Sequence, residues 1–89
     1  MNILKTSKTT QVSKLAGSIA KSLRADTSCQ VDAVGATPVE LAAKAITLAR
    51  KFLLDENMDI IIKTEFFTAV GENRDSTGIK FILERQELK

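Results

Sequence analysis

The order of periodic segments in this chain predicts a two-layer α/β sandwich. Its mixed four-stranded sheet, in the order β-α-β-α-β-β, would carry both helices on one face. Three observations carry that prediction. Two stretches repeat their apolar residues at helical spacing, three shorter ones alternate with a period of two, and the last two of those flank a polar, glycine-containing loop. At 89 residues the chain has length for one domain, residues 1–89.

Asn2–Thr6 reads as a short first strand around Ile3 and Leu4, and Ser7–Gln11 as a polar loop in which Thr9 or Thr10 can cap the next helix. Val12, Leu15, Ala16, Ile19 and Leu23 then share an arc of about 100° on a helical wheel, with Lys14 and Lys21 nearly opposite. Cys29, Val31 and Ala33 alternate with Gln30 and Asp32, the pattern of a half-buried strand. Cys29 lies on the apolar set and reads as a core thiol, since nothing near it in sequence would lower its pKa. In Gly35-Ala-Thr-Pro-Val-Glu40, Thr37 reads as an N-cap, Pro38 as the first helical residue and Glu40 as the far end of a capping box. The second helix extends to Leu53 or Leu54.

Its apolar arc is about 220° wide once Leu41, Ala45, Leu48 and Phe52 are counted, more than one sheet face needs. That surplus, with Leu41, Leu48 and Phe52 at its centre, points to a second subunit or to the first helix. Arg50, which intrudes on the stripe, reads as a contact with the last carbonyls or an ion pair. Met58, Ile60, Ile62, Thr64 and Phe66 form one face of a third strand. Gly71–Gly78 reads as a polar tip, and Ile79, Phe81 and Leu83 as one face of a fourth strand. Ile61, Phe67 and Ile82 fall on the opposite, open face, where together they suit a partner surface. If the first three strands are parallel, three segments meet at their C-terminal edge: Thr6–Gln11, Gly35–Thr37 and Glu72–Thr77.

Composition narrows the chemistry. Histidine is absent, there is one cysteine, and the aromatic residues are four phenylalanines, so the commonest general base and metal ligand are missing. The inventory argues against an enzyme and gives no reason to expect a metal or a cofactor. No apolar run exceeds three residues and the opening Met1–Lys8 has no signal-like core, so neither a membrane span nor a secretory leader is expected. The single cysteine fits a cytoplasmic location, free or associated with the nucleoid. The net charge of +2 conceals an asymmetry. Residues 1–24 hold Lys5, Lys8, Lys14, Lys21 and Arg24 and no acidic residue, a local +5, whereas the rest of the chain sums to −3. A field of one sign on one element attracts polyanions even when the whole molecule is nearly neutral.

The chain also resembles the stage V sporulation protein S family. The likeness runs through Ile3-Leu-Lys-Thr-Ser7, Val12…Leu15-Ala-Gly17, Ala33-Val-Gly-Ala36, Lys44-Ala45, Leu48-Ala-Arg50 with Phe52, Asp59-Ile60, Phe67-Thr68 and Ile79-Lys80…Glu84. That family in turn is similar to the Alba chromatin proteins, most closely at Val31-Asp-Ala-Val-Gly35 and the helix ending Ala49-Arg50…Phe52. The resemblance implies an Alba-like fold, a homodimer or higher homo-oligomer, and DNA or RNA held through its backbone. Lys8 with Lys5 would be the central contacts and Arg74 the hairpin contact. The chain departs from the Alba pattern in two places. Gly35–Thr37 carries no base, and Glu72 and Asp75 outnumber Arg74 at the tip, which points to weak, salt-sensitive binding.

Two functional readings follow. One is a small nucleic-acid-binding regulator using Lys5, Lys8, Lys14, Lys21 and Arg74 on phosphates. The other is a protein-interaction module of a developmental pathway that docks through its surplus apolar surface without touching nucleic acid. Free amides opening the second helix also admit a small anion, although Gly35-Ala-Thr37 is not a P-loop.

Overall fold

Alternation and helical periodicity become six elements in the computed structural model, which describes residues 1–88. They are β1 (Asn2–Thr6), α1 (Val12–Ala25), β2 (Ser28–Val34), α2 (Ala36–Leu54), β3 (Met58–Ala69) and β4 (Ser76–Glu87). The sheet order is β1-β2-β4-β3. β1 and β2 pair in parallel, while β4 runs antiparallel to both β2 and β3. β1, β2 and β3 therefore point the same way. The β1–α1 loop, the β2–α2 junction and the hairpin tip emerge at a single edge, as the sequence predicts.

The core lies between one sheet face and the two helices. Leu15, Ala16, Ile19, Ala20 and Leu23 of α1 and Ala42, Ala45, Ile46, Ala49 and Leu53 of α2 close over Cys29, Val31, Ala33, Ile60, Phe81 and Leu83. Small residues dominate the helix pair. Ala16 and Ala20 on one side and Ala42, Ala45 and Ala49 on the other are fully buried, which allows close backbone approach, and Ile19, Leu23, Leu53 and Leu83 fill the remaining volume. Each such leucine contributes about 2 kcal/mol through burial. Burial also pushes the Cys29 thiol up to about 11, which keeps it protonated and inert.

Polar contacts fix the helix ends. The Arg85 guanidinium on β4 donates to the carbonyls of Leu23 (2.9 Å) and Arg24 (3.2 Å), closing the C-terminus of α1. Arg24 holds Glu56, beyond the end of α2, through Nε (2.9 Å) and Nη2 (2.6 Å). Arg50 holds Asp59 through Nε at 2.6 Å, so the intruding arginine of α2 makes an ion pair to β3.

Several local expectations need correcting. α2 starts at Ala36 behind Gly35, so Thr37 is not its cap and no capping box forms; the N-cap makes no side-chain hydrogen bond. Gly35 has φ +100°, a turn that only glycine takes readily, and it lets the chain enter the helix directly from β2. Pro38 then falls in the first turn, where its missing N–H has no intrahelical partner to lose. Thr9 and Thr10 do not cap α1 either, whose N-cap is Gln11. The hairpin strands extend further than expected, with Thr68 opposite Thr77 and Ala69 opposite Ser76, leaving the turn to residues 70–75.

Of the β3 face expected to be apolar and covered, only Ile60 is buried, whereas Ile62 is exposed and Phe66 is 80% exposed. β3 is an edge strand and its outer half runs beyond the reach of the helices, which gives the molecule its 49 Å long axis. On the other face Phe67 is half-buried and lies across Gly78, where an added Cβ would meet its ring at 2.6 Å and Val34 Cγ2 at 2.9 Å. An aromatic residue laid over a cross-strand glycine fills the gap a missing side chain leaves.

Candidate nucleic-acid interface

Lys8 occupies the second position of a β-turn that the sequence closes twice over. The Thr10 amide donates to the Ser7 carbonyl (3.2 Å), and the Ser7 amide donates to Thr10 Oγ1 (2.8 Å). Ser7 Oγ adds contacts to Thr9 Oγ1 (3.0 Å) and accepts from the Thr9 amide (3.3 Å). The threonines thus stiffen the loop instead of capping the helix, and the lysine between them is presented to solvent from a fixed backbone. Lys8 lines an open cavity of about 500 Å³ together with Thr6, Ser7, Val34, Ala36, Thr37 and Pro38. Two of the three convergent segments therefore share one concave surface.

Lys5 leaves the sheet on the side away from the helices and lines a second cavity, of about 280 Å³, with Thr6, Asp32, Val34, Phe67 and Ala69. Across the strands the register reads Lys5, Asp32, Lys80, Glu65, a row of alternating charge. The open face as a whole is therefore close to neutral there, and Asp32 is engaged by Gln30 Nε2 at 2.8 Å. Lys14 is exposed on the first turn of α1, which starts at the same edge as the Lys8 loop. Lys21 is also exposed but lies about 10 Å further along the helix, by a wall made with Asn2, Leu4, Ser18, Ser22 and Ala25. Arg74 stands in the exposed hairpin turn, between Glu72 and Asp75 in sequence. The edge thus gathers Lys8 and Lys14 with Lys5 around its corner, Arg74 extends from it, and Lys21 belongs to the far half of α1.

Ion pairing separates the bases into two groups. Arg24, Lys44, Arg50, Lys63 and Arg85 are each within 4.0 Å of a carboxylate, whereas Lys5, Lys8, Lys14, Lys21, Lys51, Arg74 and Lys80 make no ion pair among the described residues. Charge sequence alone counts Arg24 in the +5 of the leading segment. Its bidentate grip on Glu56, 32 positions away, withdraws it, and the contact raises the Arg24 pKa while lowering that of Glu56. Only the fold brings those two groups together.

The apolar surplus of α2 is partly used up within the chain. Leu41 and Leu48 are half-buried, Leu48 packing on the core, while Phe52 remains 40% exposed. Leu48 also borders a shallow groove on the outer side of α2 with Ala43, Lys44, Thr47 and Lys51. Periodicity did not single out the exposed edge residues Ile62 and Phe66, because strand order decides which face a helix covers. Among the described residues no three His, Cys, Asp or Glu side chains gather as metal ligands, and no helix is long and apolar enough to cross a membrane.

Comparison with known proteins agrees with this architecture. The family model for Stage V sporulation protein S (SpoVS) matches residues 2–86. Among solved structures, the chain is similar to Alba from Thermoplasma volcanium, with a TM-score of 0.69 at 16% sequence identity, over 94% of this chain and 100% of that chain.

Proposed function

From the premise that this chain belongs to the stage V sporulation protein S family and has an Alba-like fold, we propose that it is a regulatory protein that binds DNA or RNA without sequence specificity, as a homodimer. Lys8, Lys14 and Lys5 neutralise phosphates from the edge where the loops converge. Arg74 adds a contact from the hairpin, and Lys21 adds one where the polyanion runs along α1. Leu41, Leu48 and Phe52 supply the contact between protomers. The observation that carries this reading is the separation of the bases: those of the leading segment, Arg24 apart, are free of the chain's own carboxylates. The protein has no aromatic platform and no base-reading element, so binding works through the backbone and is weak. The reading extends to a cytoplasmic location, free or on the nucleoid, and to a protein that performs no catalysis.

The test is a fluorescence-polarisation titration of labelled duplex DNA and duplex RNA at low salt, with the parent and with Lys8→Glu/Lys14→Glu. Charge reversal at two unpaired lysines is expected to weaken binding at least tenfold for either duplex. Equal affinity of parent and variant would remove the basis of the proposal. The alternative, docking on a protein partner alone, has in its favour the exposed apolar residues Phe52, Ile62 and Phe66. In-cell crosslinking separates the two, recovering nucleic acid for the first and one stoichiometric protein for the second.

A further inference from the structure

The sheet face turned away from the helices carries charge that the chain itself does not pair. Across the four strands one row of side chains reads Lys5, Asp32, Lys80, Glu65, in the sheet order β1, β2, β4, β3. Neighbouring strands stand about 4.8 Å apart, so the sign alternates across roughly 14 Å. None of the four makes an ion pair among the described residues, and Asp32 takes only a hydrogen bond from Gln30. Lys5 and Glu65, at the two ends, are exposed. The next row reads Ile3, Gln30, Ile82, Lys63, and its Ile3 is 56% exposed. Such a face offers a polyanion as much repulsion as attraction. It suits a partner whose charges alternate in the opposite phase.

We propose that this partner is a second copy of the chain, stacked sheet on sheet about a two-fold axis parallel to the strands. That axis reverses the row. β1 comes to lie over the partner's β3 and β2 over its β4, so Lys5 faces the partner's Glu65 and Asp32 faces the partner's Lys80. Symmetry forms the same two pairs again, and all four contacts join opposite charges. The neighbouring row sets Ile3 against the stem of the partner's Lys63 and Ile82 against the partner's Gln30, apolar surface beside the charges. The other in-plane axis, along the row, sets every charge against its own copy, and four like-charge contacts exclude it. The row thus specifies one orientation, the aligned packing of two sheets about 10 Å apart. Salt screens a contact this polar, so it forms at submillimolar protein and not at high dilution. It lies on the layer opposite α2, is independent of the subunit contact proposed there, and joins one α2 dimer to another. Lys5 stands at the corner of the loop edge, so a bound polyanion and the stacked sheet compete for that one cation.

The experiment uses the two exposed ends of the row. Glu65→Lys turns two contacts of each stacked pair repulsive, and Lys5→Glu does the same with the opposite sign. An equimolar mixture of the two variants restores both. Lys5 of one protomer then faces Glu65 of the other, and the introduced lysine faces the introduced glutamate. Sedimentation equilibrium gives the weight-average mass from low micromolar to submillimolar protein for the parent, each variant and the mixture. The parent mass is expected to rise with concentration above its value at dilution, and to rise less as salt is raised. Each variant alone is expected to weaken this association about tenfold, and the mixture to recover it to within about twofold of the parent. Rescue by mixing is a property of two chains and not of either chain's own folding. A parent mass constant over the range would overturn the proposal. So would single variants that associate like the parent, or a mixture that associates no better than either alone. The mass at dilution reports the α2 contact and is expected to be the same in all four samples, so the two contacts are read separately. Glu65→Lys also leaves every cation of the loop edge in place. Retained duplex binding with lost association is therefore expected of it, and the stacked sheet stands or falls apart from the nucleic-acid reading.

Discussion

Salt tests the electrostatic reading most directly, because the number of free cations at the edge sets the slope. Lys5, Lys8 and Lys14 are unpaired on each protomer, so a dimer offers six cations to phosphates. At about 0.9 counterions released per contact, log K should fall with log salt at a slope near −5. Raising sodium chloride from 50 to 200 mM then weakens binding about a thousandfold. Lys8→Gln removes one contact per protomer, which brings the slope to about −3.6 and the loss over the same interval to roughly a hundredfold. Lys21→Gln serves as the internal comparison. It removes the same charge about 10 Å down α1 from Lys14, which is a Debye length at about 0.1 M salt, so on a duplex too short to run on along α1 the slope is expected to stay near −5. Arg24→Gln should be equally silent, its guanidinium already being held by Glu56. The assay is a polarisation titration at four salt concentrations. A slope shallower than about −2 for the parent, or equal changes from Lys8→Gln and Lys21→Gln, would refute the argument that the loop edge is the contact surface.

Three further outcomes follow from the packing. Gly78→Ala places a Cβ 2.6 Å from the Phe67 ring and 2.9 Å from a Val34 methyl, so a loss of about 1–3 kcal/mol is expected in urea denaturation; unchanged stability would mean that the hairpin does not pack in this way. Arg24 and Arg50 hold the Glu56 and Asp59 carboxyls below the usual carboxylate range. The stability these pairs give is complete at neutral pH and is lost as pH falls through the lowered folded values, so Arg50→Gln should flatten the acid limb of urea midpoints measured from pH 7 to pH 3. Both pairs lie at the surface and the effect is small; an identical acid limb in parent and variant would count against the Asp59 pairing. Phe52→Glu is expected to yield a folded monomer by light scattering, since that ring is 40% exposed on α2. An unchanged oligomeric mass would place the subunit contact elsewhere.

Much of the fold was legible because each face of each element writes its own period. Val12, Leu15, Ala16, Ile19 and Leu23 mark α1, and Cys29, Val31 and Ala33 mark β2, since the core selects for apolar residues at those spacings alone. The start of α2 was harder to read. Gly35-Ala-Thr-Pro is compatible with a threonine cap and with a helix entered through glycine, and only the φ of +100° distinguishes them. The state of Phe66 was not legible at all. It alternates with Glu65 and Phe67 as a covered residue would, yet strand order leaves it beyond the helices.

The site follows the same division. Lys8 in its polar loop was legible from local sequence, although Thr9 and Thr10, read there as helix caps, instead close its turn on Ser7 within three residues. Arg24 was misleading for the opposite reason, its neutralising carboxylate lying 32 residues away. What a cation can do for a polyanion depends less on how many like charges surround it in sequence than on whether the fold has already given it a counter-ion. By that criterion the acid-free leading segment loses one member and keeps four, and of these the sheet and the α1 axis bring only Lys5, Lys8 and Lys14 to the edge where α2 also opens its amides. Convergence of unpaired charge with open donors, and not basicity of the segment as a whole, is the property that separates a binding edge from a solvated face.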